Sequence, residues 1–306
     1  MKVRWSSLPV IMALWGLSGF AGTKEQPALK AAVKVRFSRS ATDRRLVDND
    51  AELFLYDSAR KLVVNSEEHP LDISYDAVQR VIFDVSTRMR GGGLSQVVGG
   101  LAGAAIAAKH VSHYWCYIEF KKPSGAVQPY MVEFPKEESE KAIGKMKELF
   151  GERVTVAEFP EQQGKIDKDT LQDLHSKYAV KFNKKDHPLP ELKPDKALVV
   201  VVCPPLAARD EGARGLTPQY RFYANDQVVA INSMGTYSFV YLDPGDYLLV
   251  SQFGKKASGF RMKLEAGKDY YFFQDLFFGG VMLSRHTKEL VMYEVNGAYL
   301  ADWKRK

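Results

Sequence analysis

Three side chains able to ligate a metal, His110, His113 and Cys116, fall within one short stretch. The stretch continues as Tyr-Ile-Glu-Phe120 and reads as a strand, where residues three apart face opposite ways. Convergence would need a helical or bulged backbone, so these read as ordinary strand residues. His69, His175, His187 and His286 have no second ligand three or four residues away, and there is no His-Glu-x-x-His or Cys-x-x-Cys. The nucleophile elbow Gly-x-Ser-x-Gly and the phosphate loop Gly-x-x-x-x-Gly-Lys-Ser/Thr are both missing. The triple glycine at 91–93 lacks the later glycine of a dinucleotide fingerprint, and Asp243 and Asp246 flank a turn, where carboxylates usually form the turn. The expectation is therefore no catalytic, cofactor-binding or metal-binding residues.

Two stretches are better suited to contact than to catalysis. Gly91 to Ala108 is rich in glycine and alanine, with Gly99-x-x-x-Gly103 and Ala104-x-x-x-Ala108, the spacing that lets helices approach closely in membranes. Its apolar side chains Leu94, Val97, Val98, Leu101 and Ile106 form a candidate contact surface for a bilayer or a partner. The apolar part is too short to span a membrane, and a plain connecting loop is the competing reading. Aromatics crowd the last third, from Tyr220, Phe222 and Tyr223 to Tyr270, Tyr271, Phe272 and Phe273. Burial in a core is their commoner use; an exposed row would suit a glycan or partner. Phe277 and Phe278, before Gly279-Gly280, are the expected exposed tip and complete the contact surface.

The N-terminus reads as an export signal: Lys2 and Arg4 precede an apolar run from Leu8 to Leu17 that ends in small residues near Ala21. Cleavage there would leave a periplasmic or secreted protein, with no cysteine nearby for a lipid anchor. Export permits a disulfide between Cys116 and Cys203, but both sit in strand-like apolar runs that favour small buried thiols. The formal net charge of +6 falls to +4 without Lys2 and Arg4, and the bases alternate with acids throughout. Such alternation, together with export, excludes nucleic acid as the expected partner.

With 306 residues, 45% of them hydrophobic, the chain is long enough for two cores. Residues 32–158 alternate apolar and polar like successive strands, with Pro123-Ser-Gly125 as a hairpin turn. Lys136 to Phe150 switches to helical spacing and is stopped by Gly151. Residues 159–195 form a proline-rich linker with a short helix expected over Asp169–Phe182. Residues 196–300 offer seven strand candidates, from Ala197–Val202 to Glu289–Glu294, separated by turns such as Asp243-Pro-Gly-Asp246, and read as an antiparallel β-sandwich.

The first region resembles the pleckstrin-homology-like domains of bacteria. The residues carrying the resemblance are Leu71 to Val81 and the run from Tyr114 through the helix ending at Phe150. It covers residues 45–158 and implies a barrel with one C-terminal helix, serving lipid, peptide or protein binding. The second region resembles a domain of unknown function common in bacterial lipoproteins and exported proteins, similar in rhythm to Pro-Glu-Gly-Ala surface repeats. That resemblance rests on Ala197–Cys203, Asp226–Val229, Gly235-Thr-Tyr-Ser-Phe-Val-Tyr-Leu-Asp-Pro-Gly-Asp-Tyr247 and Leu264-Glu-Ala-Gly-Lys-Asp-Tyr-Tyr-Phe272. It implies an extracytoplasmic sandwich without an established activity.

A mainly β, two-domain protein of the bacterial cell envelope is expected, with a non-catalytic binding or scaffolding role and no cofactor. Its partner would be an envelope protein, a glycan or a lipid surface. An envelope hydrolase or carbohydrate-binding accessory protein is one alternative, and a peripheral membrane binder using Gly91–Ala108 is another.

Overall fold

Alternation along Leu29–Ser38 puts Leu29, Ala31, Val33, Val35 and Phe37 on one face, and this strand, β1, lies at the centre of the first sheet. The computed structural model describes residues 26–38, 46–90, 109–159, 178–183, 185–204, 219–254, 256–277 and 280–305. The first sheet also contains β2 (Leu46–Tyr56), β3 (Lys61–Asn65), β4 (Leu71–Ser74), β5 (Val78–Arg90), β6 (Lys109–Lys121), β7 (Val127–Phe134) and β8 (Val154–Glu158). Their order is β4-β3-β2-β1-β7-β6-β5-β8, antiparallel except for the parallel β5–β8 pair. The expected hairpin forms between β6 and β7, where Gly125 takes φ 87° and its N–H bonds the Lys122 carbonyl at 2.8 Å.

Helix α1 spans Lys136–Phe150, as the spacing predicts. Ala142, Met146 and Phe150, four apart, bury one stripe against the odd-numbered face of β1 and the matching faces of its neighbours. Gly151 ends the helix at φ 57°. The expected pleckstrin-homology-like barrel is corrected to an open sheet. Its edge strands β4 and β8 do not pair with each other, and α1 packs on the face that carries Leu29, Val33 and Val35.

The second half is a sandwich. One sheet has the order β17-β16-β10-β13-β18-β9 and the other β12-β11-β14-β15. The strands are β9 (Tyr178–Asn183), β10 (Ala197–Cys203), β11 (Tyr220–Ala224), β12 (Gln227–Asn232), β13 (Thr236–Leu242), β14 (Gly245–Phe253), β15 (Lys256–Leu264), β16 (Asp269–Phe277), β17 (Gly280–His286) and β18 (Tyr299–Arg305). Ala197, Val199, Val201, Phe222, Leu249, Phe260 and Phe272 fill the space between the sheets. Within the smaller sheet β14 and β15 approach closely at Gly259, where a Cβ would lie 2.0 Å from the Leu249 carbonyl oxygen, so no side chain fits.

Several expectations for this half are corrected. The larger sheet is mixed, because β10 pairs parallel with β16 and β13 parallel with β18. The expected strand Glu289–Glu294 is part of a helix, α2 (Lys288–Gly297), whose Leu290, Val291, Glu294 and Val295 share a buried face at helical spacing. The end of the expected linker helix is strand β9, held to β18 by pairing from Tyr178↔Arg305 to Asn183↔Leu300 and by the edge of Tyr178 against Trp303.

Helix α2 lies between the larger sheet and the outer face of the first sheet. Leu290, Val291 and Val295 share one core with Leu198, Val200, Val202, Tyr237, Tyr271 and Phe273 on one side and Trp115 and Met131 on the other. Covered on both faces, β10 is buried at every residue. The two β units thus meet through α2 and through β17 beside β5, and share no strand.

Candidate functional site

The most concentrated chemistry among the described residues lies along this meeting surface. Arg36 of β1, only 6% exposed, points from the outer face of the first sheet toward α2. Its Nε hydrogen-bonds Glu294 Oε1, its Nη2 donates to Glu294 Oε2 at 3.0 Å, and its Nη1 donates to Asp48 Oδ1 at 2.7 Å. The Tyr293 hydroxyl donates to the Arg36 carbonyl at 2.6 Å, and the guanidinium lies 5.6 Å from the Trp115 ring centre. A buried cation needs such a shell, since isolated burial of a charge is very costly. Burial works against the Arg36 charge, but the Glu294 and Asp48 carboxylates outweigh it and hold its pKa above the ordinary value. Burial pushes the Glu294 carboxyl up, and Arg36 opposes that rise.

A second cluster joins β5 to β17. His286 Nδ1 lies 3.0 Å from Asp84 Oδ1, and the Ser284 hydroxyl lies 2.8 Å from His286 Nε2. The Thr287 N–H donates to the other Asp84 oxygen at 2.7 Å. With the Nδ1 proton directed at the carboxylate, Nε2 is left to accept from Ser284; the order is that of a serine–base–carboxylate relay. Asp84 and His286 are fully enclosed, the His286 side chain at 0% exposure with the Phe273 ring centre 4.2 Å away, whereas Ser284 is half-buried. At the rim, Arg80 donates to Glu119 at 3.1 Å and to Glu289 of α2 at 2.9 Å.

The sequence-based candidates fare differently. Leu94, Val97, Val98, Leu101, Ile106 and Phe278 lie outside the described residues, as do residues 1–21, where an export signal is expected. Phe277 is placed only by its backbone, at the end of β16 opposite Gly280. Tyr220, Phe222, Tyr223, Tyr270, Tyr271, Phe272 and Phe273 are all buried. Cys116 and Cys203 are separate buried thiols whose pKa burial pushes well up. Among the described residues no group of three His, Cys, Asp or Glu could hold a metal, and no helix is long and apolar enough to cross a membrane.

Sequence reasoning missed Arg36, Asp84, Ser284, His286 and Glu294. One signal was present: Ser284 and His286, two apart on a strand, must share a face. Nothing local tied them to Asp84, 202 residues from His286. No family model, curated protein or solved structure matches this chain. The functional reading therefore rests on its own residues.

Proposed function

We propose that this chain is a binding or scaffolding protein of the bacterial cell envelope, its two β units fixed together so that surfaces on both are presented in one orientation. The observation supporting this reading is where the buried ionisable groups are spent. Arg36 with Glu294 and Asp84 with His286 are paired across the meeting surface, and Asp48 completes the Arg36 pair from the first sheet, so each is engaged in joining the two units. The test is fractionation of host cells into periplasm, membrane and medium, followed by crosslinking of the fraction holding the chain. A shortened chain in an envelope fraction, migrating in one discrete crosslinked species, supports the reading. An unshortened chain in the cytosol, or a monomer after crosslinking, overturns it.

The order Ser284–His286–Asp84 favours a second reading, an envelope hydrolase. Ser284 Oγ would attack an acyl carbon while its proton passes to His286 Nε2 and on to the alcohol or amine whose bond to that carbon breaks, and water would then release the acyl group as a carboxylic acid and restore the hydroxyl. Against this, a working base must hand its proton to the leaving group, and His286 is sealed beneath Phe273. A fluorophosphonate probe separates the two, since Ser284 would bond to phosphorus with loss of fluoride. An adduct on Ser284 that disappears in Ser284→Ala establishes the hydrolase; an unlabelled protein removes it.

A further inference from the structure

At one end of the sandwich the β11–β12 turn and the end of β13 enclose an open cleft of about 290 Å³. Its apolar wall comes from Val229, Leu242 and the rings of Tyr241 and Tyr247, and its rim from Asn225, Asp226, Gln227 and Asp243. The turn is held rigidly. Asn225 adopts φ 58°, its N–H donates to the Leu248 carbonyl at 2.8 Å, and its Oδ1 accepts the Leu248 N–H at 3.0 Å.

That arrangement uses the carbonyl side of the Asn225 amide and turns its NH₂ to other use. Neither this NH₂, nor the Gln227 amide, nor the Tyr247 hydroxyl makes a hydrogen bond among the described residues. Other lining groups are already engaged: Lys196 Nζ lies 2.6 Å from Asp243, the Tyr241 hydroxyl donates to the Glu191 carbonyl at 2.7 Å, and Lys193 Nζ sits 4.0 Å from the Tyr241 ring centre. Asp243 is therefore paired with Lys196, and Asp226 brings a second carboxylate to the rim.

A cleft with an amide donor, an amide able both to donate and to accept, a phenol, a carboxylate and an aromatic wall asks for a ligand with the same mixture. It must be ring-sized, since the volume is at the lower end of small-molecule sites at roughly 300 Å³. The two rim carboxylates disfavour an anion and can accept from hydroxyls, so the ligand carries several hydroxyls and an apolar face for the tyrosine. We propose that this cleft binds one sugar ring of an envelope saccharide. The inference rests on the binding reading above and names the ligand class for it.

Saturation-transfer NMR of the full chain with glucose, galactose, mannose and N-acetylglucosamine, each at millimolar concentration, tests the proposal, alongside Gln227→Ala and Tyr247→Phe. Gln227 is exposed and Tyr247→Phe keeps the ring, so both variants retain the fold, which circular dichroism confirms. The expected result is transfer to at least one sugar, with affinity lowered about tenfold in each variant, the scale of one lost hydrogen bond. Absence of transfer for all four sugars, or unchanged affinity in both variants, overturns the proposal. A chain found in a crosslinked envelope complex that binds none of the sugars would sink this inference and leave the scaffolding reading standing.

Discussion

Arg36 of β1 and Glu294 of α2, 258 residues apart in sequence, form a two-point ion pair in the interior, with Asp48 closing the third side of the guanidinium. Such a pair adds little net stability over an apolar replacement, because both charges lose their water. Its effect is on orientation: a planar fork meeting a carboxylate accepts few geometries, so it fixes how α2 lies on the first sheet.

Removing one partner should therefore cost far more than removing both. Glu294→Ala leaves the guanidinium with Asp48 alone and is expected to destabilise the protein by about 3–5 kcal/mol in urea unfolding. Arg36→Met combined with Glu294→Leu is expected to recover most of that loss. A double variant no more stable than Glu294→Ala would show that the pair contributes more than orientation.

The Asp84 cluster gives a second contrast. Asp84→Ala strips partners from an enclosed imidazole and from the Thr287 N–H, at an expected cost of about 3 kcal/mol. Ser284→Ala leaves one atom, the enclosed His286 Nε2, without its donor and is expected to cost less, about 1–2 kcal/mol. Equal losses in thermal unfolding would mean that the cluster depends on Ser284 as much as on Asp84, contrary to an Asp84-centred weld.

These clusters mark the limit of what the sequence can show. Helix α1 was legible because Ala142, Met146 and Phe150 repeat every four residues and Gly151 supplies the stop. Strand β10 was legible because Ala197-Leu-Val-Val-Val-Val-Cys203 has no polar side to expose. Helix α2 was not, since Leu290-Val-Met-Tyr293 is a β-prone run locally and becomes helical by packing between two sheets. The mixed sheet and the barrel that stays open depend likewise on pairings between distant segments. So do Arg36 with Glu294 and Asp84 with His286, for which one sequence holds no local sign.

Alkaline pH should destabilise the protein through its enclosed phenols. Burial, with the Glu119 charge adding to it, pushes Tyr117 up to about 12, and burial likewise raises Tyr130, Tyr220, Tyr271 and Tyr293. In the unfolded chain these phenols ionise near pH 10. Their folded pKa values are higher, so the stability they give is complete below pH 10 and is lost as pH rises through the folded values. Urea stability should fall from pH 10 upward, with tyrosinate absorbance rising together with loss of ellipticity. Absorbance that rises near pH 10 while the fold persists would contradict this.

Strands β5 and β6 pair as far as Arg90↔Lys109, whereas pairing with β8 ends at Val85↔Glu158 and pairing with β7 begins at Tyr114↔Phe134. Ser86–Arg90 and His113 back to Lys109 thus run on as a two-stranded ribbon, and residues 91–108 join its ends. Between Ser86 and His113 the chain has Arg88, Arg90 and Lys109 and no acidic residue. Each base near an anionic lipid surface contributes about 1 kcal/mol, screened by salt. The full chain is expected to sediment with vesicles containing phosphatidylglycerol, less so at high salt and not with neutral phosphatidylcholine. Deleting residues 94–107, with a short Gly-Ser join, should leave the protein folded and in the supernatant. A deleted chain that still sediments places the contact elsewhere, and a full chain that never sediments ends the membrane reading.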